Sequence, residues 1–593
     1  MILRVLYDYY QTLVADPESG ISQIGYSKEK VSFALLINKK GDLKDIIELR
    51  EGKKPILMDV PQHAKRTSGV LPYFICDNPK YILGTGKTYY EQCAKLHNDI
   101  LKDVNDESAA AVLRYFEKWG SKQAKSNALI KAHKDSLEKG GNIVFTVAGI
   151  KGYVHEKSKI KKAWKKYLSF APQKGIRGQC LITGEEAELL EVHDSVKGVW
   201  NAQSSGAAII SFNKESFESY GKKQSINAPV GKEAAFAYIT TLNYMLNPAS
   251  MQNIQIGDAT TVFWAEKYGT EQEELFYALF NPLDVEERKG LAEEAGKNAK
   301  NGRKGEKRKT RLNDPRTISR MRDFLGRVAS GKGLKDIRWY DPDVKFYVLG
   351  LSPNAARISV RFFYTDTFGR IVERIKQHYA DMLVERQYKN ESDAIAVWQL
   401  LRETAVQGNF KNIQPAFSGG LMRAILMGGI YPVAVYQAII ARIGIDKSVN
   451  RNRMAFLKAY LQRKNRIDKK EGGVTMSLNK EERNVGYCLG RLFALLEKAQ
   501  LDASPGINAT IKDRYFGTAS SSPKAVFPFL LRLGQHHIKY GRFTDKQIGE
   551  VMVMVGSEFP AHLNLDDQGR FMLGYYHQRN ALYKKKEEVK SDK

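Results

Sequence analysis

The stretch "VKFYVLGLSPNAARISVRFFYTDT" (residues 344–367) decides the fold. Two strand-like runs flank a turn read at Ser352-Pro353-Asn354. In the second run Ile358, Val360 and Phe362 alternate with Arg357, Ser359 and Arg361, the period of a strand with one apolar face. That places Arg357 and Arg361 on the open face of a sheet, where an apolar core has no use for them. Upstream the pattern is mixed. "VSFALLIN" (31–38) leading to Gly41-Asp42, "GNIVFTVAG" (141–149) and "AAIISFN" (207–213) read as strands, while 106–119 carries Ala109, Val112, Leu113, Phe116 and Trp119 on a helical period. From about residue 370 the sequence turns helical. "NVGYCLGRLFALLEKAQ" (484–500) sets Val485, Leu489, Leu492 and Leu496 on one stripe, and 523–542 reads as a further buried helix entered through Ser520, Ser521 and Ser522.

The expected fold class is therefore α+β, a mixed α/β N-terminal region followed by an all-α C-terminal helical bundle. The expected domains are 1–290 (mixed α/β), 291–343 (basic linker), 344–475 (strand pair and joining helices) and 476–593 (bundle). No apolar run approaches a membrane span, and the start "MILRVLYDYY" lacks the basic region and cleavage site of a secretory signal. Cys76, Cys93, Cys180 and Cys488 lie far apart with no CxxC pair, which argues against a disulfide framework and fits a reducing cytoplasm.

Charge narrows the function. Lys plus Arg number 93 against 66 Asp plus Glu, a formal net charge of +27, which points to a polyphosphate partner. The cations cluster. "KSKIKKAWKK" (157–166) fans lysines, among them Lys161, Lys162, Lys165 and Lys166, around a helix whose other face is Ile160, Ala163 and Trp164. The run 297–311, with Arg303 and Lys304, has no apolar anchor and reads as a basic loop that an acidic partner would order. A third cluster, 442–470, holds Arg442, Lys447, Arg451, Arg453, Arg463, Lys464 and Arg466 with only Asp446 and Asp468 nearby in sequence.

Catalytic patterns are incomplete. "YILGTGKTYY" (81–90) has the Gly-Lys-Thr of a phosphate-binding loop, but Tyr81 stands where the first glycine belongs. Its local reading is an extended Tyr81–Leu83 turning into a helix from Tyr89. Cys93 and His97 are one turn apart without a second pair, so a core cysteine beside a surface histidine is the simpler reading. Cys180 with His193 supplies two ligands where structural zinc needs four. The chain reads as a binder with no cofactor and no metal, not as an enzyme. The alternatives are a nucleic-acid-stimulated ATPase built on 84–88, a metal nuclease using scattered acids, and a general single-strand-binding protein.

Several long landmarks resemble one family, in order along the chain: "MILRVLYDYYQTLVADPESGI" (1–21), "PQHAKRTSGVLPYFICDNPKYILG" (61–84), "LSPNAARISVRFFY" (351–364), "NVGYCLGRLFALLEKAQ" (484–500), "FGTASSSPKAVFPFLLRLG" (516–534) and "FMLGYYHQR" (571–579). They look like the large subunit of the type I-C CRISPR interference complex, or Cascade. The resemblance implies a non-catalytic antiviral-defence subunit that reads the protospacer-adjacent motif (PAM) on duplex DNA, promotes R-loop formation and holds the displaced single strand. It implies guide RNA, the backbone and guide-RNA-end subunits of Cascade, and a helicase-nuclease as partners, in the cytoplasm and with no membrane. On this sequence it places motif reading at Lys53, Lys54 and Asn78. DNA-backbone contacts fall to Gln62, Lys65, Arg66, Thr67, Ser68, Lys80 and Lys87, to Arg357 and Arg361, and to the basic clusters above. Families of this type also make a small subunit from an internal start. Lys470-Glu471-Gly472 can be encoded by a purine-rich ribosome site shortly before Met476, which marks 476–593 as the candidate product, with Met454 a weaker start.

Overall fold

The apolar run starting at Val31 is continuous because it is buried on both faces. It forms the second half of β1 (Tyr26–Ile37), where Phe33, Leu35 and Ile37 enter one apolar cluster and Ala34 joins Val60, Cys76 and Val144 in another. In this computed structural model, residues 2–591 are described except 51, 53, 64, 65, 67, 68, 86, 171–174, 248, 249, 268–270, 282–314, 335, 336, 338, 339, 389, 390, 471, 472 and 539–541. The chain divides into two units, Leu3–Asp194 with Phe212–Thr241, and Ser195–Ser211 with Leu242–Lys593.

In the first unit β2 (Leu43–Glu48) and β3 (Ile56–Pro61) pair antiparallel with β1, and β4 (Asn142–Val147) pairs with it in parallel. Helix Glu107–Lys118 covers the sheet with Val112, Tyr115 and Phe116. It starts where Asp106 accepts from the amides of Ser108 and Ala109 at 2.8 and 3.2 Å. A short hairpin, β5 (Arg177–Gln179) with β6 (Glu186–Glu188), completes the described strands of this unit. Tyr81 and Ile82 are helical rather than extended. Asn78 caps helix Pro79–Ile82, proline fills its first turn, and a second helix opens at Lys87.

The second unit is built on an antiparallel sheet ordered β10-β9-β8-β7, from β7 (Asn253–Ile256), β8 (Ala259–Ala265), β9 (Lys345–Asn354) and β10 (Arg357–Thr367). Two details differ from the sequence reading. The turn falls at Ala355, whose φ is 53°, so that Ser352 and Pro353 stay in β9. A register shift between Val360 and Phe362 makes Arg361 the extra residue of a bulge, and Val360 is left 41% exposed. The run 207–213 is not a strand; it contributes isolated bridges, Ala207 to Val196 and Ala208 to Arg357.

After Thr367 the described elements of this unit are helices. Phe263, Phe346 and Phe362 of the sheet share one apolar core with Phe368, Ile375, Phe456, Leu492, Phe493 and Phe571 of those helices. Helix Val485–Ala503 meets helix Leu565–Ser591 along glycines. A Cβ added at Gly490 would lie 1.9 Å from the Phe571 carbonyl oxygen, and one at Gly574 2.1 Å from that of Tyr487. Ser520 and Ser521 end helix Ile511–Ser521, and Ser522 caps its C-terminus, so the serines close one helix before Pro523 opens the next.

Candidate nucleic-acid interface

The block 61–84 leaves β3 at Pro61 and returns to the sheet at Asp77, which bridges Ile143 on the outer edge of β4. An arginine–aromatic column organises it. His63 stacks on Tyr73 at 4.0 Å between ring centroids, and the Arg66 guanidinium sits 3.7 Å from the Tyr73 ring and 4.1 Å from the Tyr81 ring. Arg66 Nη2 donates to Asp77 Oδ2 at 2.5 Å and Nε to the Leu71 carbonyl at 2.8 Å. The Asp77 side chain is fully buried, and burial raises its pKa against the opposing pull of Arg66. Arg66, whose side chain is 26% exposed, is thereby held in an ion pair and between two rings, and does not stand free as the open phosphate clamp expected from sequence. Below the column Ile75, a β-branched residue, holds a φ of 59°. Its amide donates to His97 Nε2 at 2.8 Å, and His97 Nδ1 meets the Cys93 carbonyl at 2.7 Å. His97 is fully buried, so it is a core histidine and not the surface one expected.

Asn78 spends its side-chain oxygen on the Lys80 amide at 3.0 Å; its Nδ2 has no partner among the described residues. Lys80 and Lys54 are exposed and Gln62 is half-buried. Asn78 follows the Asp77 edge and Lys54 precedes the β3 edge, with β1 and β4 between them. These edges are set apart by β1 and β4, on the order of three strand spacings or roughly 14 Å of backbone. Lys53, Lys65, Thr67, Ser68, Arg303 and Lys304 lie outside the described residues, and Lys87 is described in its backbone alone. The segment Gly84–Thr88 joins two helices, whereas a phosphate-binding loop joins a strand to a helix.

The lysine helix is as expected. Ile160 and Trp164 of helix Ser158–Phe170 are buried, and Trp164 Nε1 donates to the Gly25 carbonyl at 2.7 Å, tying the helix to the start of β1. Lys161, Lys162, Lys165 and Lys166 are exposed. Lys161 lies 5.7 Å from the Tyr26 ring, and both it and Lys28 act on the Asp59 carboxyl, which places the lysine helix beside the start of β1. Burial nonetheless raises the Asp59 pKa.

The other arginines belong to the fold. Arg361 donates to Asp258 through Nε and Nη2 at 3.1 and 2.9 Å, and Arg357 is half-buried in the β9–β10 hairpin. The cluster 442–470 is a network of ion pairs. Arg451 is 4% exposed, with Asp393 at 3.3 Å and the Ser392 carbonyl at 2.5 Å. Arg453 is 5% exposed, with Glu403 at 2.8 Å and Asp446 at 2.9 Å. Arg463 meets Asp381 at 3.0 Å and Lys464 meets Asp566 at 2.6 Å. Neither Arg451 nor Arg453 is open to a phosphate, which corrects the expectation for both. Apart from Asp446, the carboxylates that hold them come from segments far away in sequence. Among the described residues no group of three or more His, Cys, Asp and Glu is placed to hold a metal ion, and no helix is long and apolar enough to cross a membrane.

A model of the CRISPR-associated protein family Cas_Csd1 matches residues 6–583. Among curated proteins there is no match. A match that runs through both units and nearly the whole length establishes the family, and the chain is a CRISPR-associated protein of the Cas_Csd1 family.

Proposed function

We propose that the chain is the large, non-catalytic subunit of a type I-C Cascade, acting in the cytoplasm. It reads the protospacer-adjacent motif on duplex DNA, promotes R-loop formation, holds the displaced strand and helps recruit the helicase-nuclease. The observation that carries this reading is the exposed lysine surface of helix Ser158–Phe170, in a chain matched to a CRISPR family along its length. Lysines of this kind track phosphates without reading sequence. Sequence choice then falls to groups such as the Asn78 amide and Lys54, and the long target is read by guide-RNA pairing. The ATPase alternative loses support from the helix–turn–helix setting of Gly84–Thr88.

The test is target binding by the guide-RNA complex assembled with and without the chain, on duplexes with an intact or scrambled flank. Tight binding should require both the chain and the intact flank. Asn78→Asp keeps the helix cap and removes the amide donor, so it should leave melting unchanged and cut discrimination about tenfold or more. Binding indifferent to the flank would make the chain a general nucleic-acid grip.

The same reading includes a small subunit made from Met476. Met476 is 51% exposed in the segment ahead of helix Val485–Ala503, whereas Met454 is buried inside helix Arg451–Ile467. Intact-mass analysis of protein from the native gene should show a second species spanning 476–593 that disappears when the Met476 codon is changed. Its absence, or its persistence after that change, would sink the idea.

A further inference from the structure

The second unit carries an open cleft of about 450 Å³. One wall is a single helix face, Arg370, Glu373, Arg374 and Gln377, spaced i, i+3, i+4 and i+7 on helix Phe368–Met382. The other side is Gly428 and Arg463. Arg463 is the unusual member. It is 1% exposed, donates through Nε to Asp381 and through Nη1 to the carbonyls of Ala424 and Gly429 at 2.9 and 3.2 Å, and lies 4.0 Å from the Tyr431 ring. Its Nη2 is buried with no partner among the described residues. A guanidinium donor left unpaired in the interior is costly, and it lies in a side chain that lines a cleft.

Charge points the same way. Arg374 Nη1 meets Asp366 at 2.9 Å and the Leu426 carbonyl at 2.8 Å, and Arg370 lies 3.6 Å from the same Asp366. Lys376 stands beside Glu373, and Arg466 shares Asp381 with Arg463. Five cations thus face three carboxylates, Asp366, Glu373 and Asp381. The local excess is two positive charges.

We propose that this cleft binds a phosphate group, carried by a nucleotide or by one residue of a nucleic-acid strand. Phosphate matches the excess charge, and its oxygens suit the fork geometry of arginine. The volume lies within the range of small-ligand clefts and leaves room for the attached sugar. Glu373 supplies an acceptor on the same wall for a sugar hydroxyl. The site lies in the second unit and does not depend on which residues of the first read a flanking motif.

The test is calorimetric titration of the full chain with inorganic phosphate, adenosine monophosphate and a short oligothymidylate, at constant ionic strength. At least one should bind saturably. Arg370→Glu, at a side chain that is 73% exposed, should weaken that binding about tenfold or more, with Arg463→Lys acting in the same direction. Arg532→Glu, on an exposed position of helix Pro523–Ile538, should leave it unchanged. Dependence on Arg370 for the monophosphate assigns a nucleotide site; dependence for the oligonucleotide alone assigns a strand phosphate. Should Arg463→Lys fail to fold, Arg370→Gln carries the comparison. No saturable binding of any probe, or binding equal in wild type and Arg370→Glu, overturns the proposal.

Discussion

Acidification from pH 7 to pH 5 is expected to destabilise the first unit. Burial lowers the pKa of His63, His97, His155 and His193 to about 4 each, and in the second unit that of His577 to about 4 and His378 to about 3. The partners suit neutral rings. His193, His378 and His577 each meet a tyrosine hydroxyl through Nδ1, at 2.6, 2.7 and 3.0 Å, and keep a buried Nε2 without a partner among the described residues. In the unfolded chain these imidazoles titrate near 6.5, so between there and pH 4 the unfolded state binds more protons. Their contribution is complete above pH 6.5 and is lost as pH falls through that window. One pH unit into it costs about 1.4 kcal/mol per imidazole. At pH 5.5 the four in the first unit together remove about 6 kcal/mol before any offset, within the range of an ordinary domain's whole stability. Asp59 and Asp77, whose pKa values burial raises, act in the opposite sense and offset part of this loss. Urea melts followed by circular dichroism at stepped pH test this. A midpoint unchanged down to pH 5 would show that these rings protonate without penalty.

Arg66→Ala should destabilise the first unit by about 3–5 kcal/mol, the usual cost of stranding a buried charge. The substitution leaves the Asp77 carboxylate with the amides of Tyr73 and Asn78 and no counter-charge, and it empties the slot between Tyr73 and Tyr81. Arg66→Lys keeps the charge but neither the stacking plane nor the second hydrogen bond, so it should recover only part of the loss. Thermal melts of the three proteins decide. Unchanged melting combined with weaker DNA binding would restore Arg66 to the role of phosphate clamp.

What the sequence disclosed follows from how each feature is encoded. β1 and helix Glu107–Lys118 are written in local apolar patterns, continuous where both faces are buried and periodic where one is. The start of helix Pro79–Ile82 was equally local, an Asn-Pro cap signal, but the neighbouring Gly-Lys-Thr drew the reading toward an extended strand. The apolar run at 207–213 has strand composition without a continuous partner, and pairing cannot be read from one segment. The same limit explains the arginines. Lys161, Lys162 and Lys165 were legible because nothing has to reach them. The counter-charges of Arg451 and Arg453 come largely from Glu391, Asp393 and Glu403, some 50 to 60 residues away, so a run of cations in sequence became a set of internal pairs. The column of His63, Tyr73, Arg66 and Tyr81 was missed for a related reason. Its members are spaced irregularly along a loop, and only the return of the chain at Asp77 stacks them.

The glycine contact between helices Val485–Ala503 and Leu565–Ser591 has a mechanical consequence. Gly486 and Gly490 sit one turn apart, and a Cβ at either would run into backbone, at Asp567 and Phe571. Backbone cannot rotate aside as a side chain can. The two helices are therefore keyed like a notched joint: an axial slip that carries either notch past its opposing carbonyl brings a side chain against main chain.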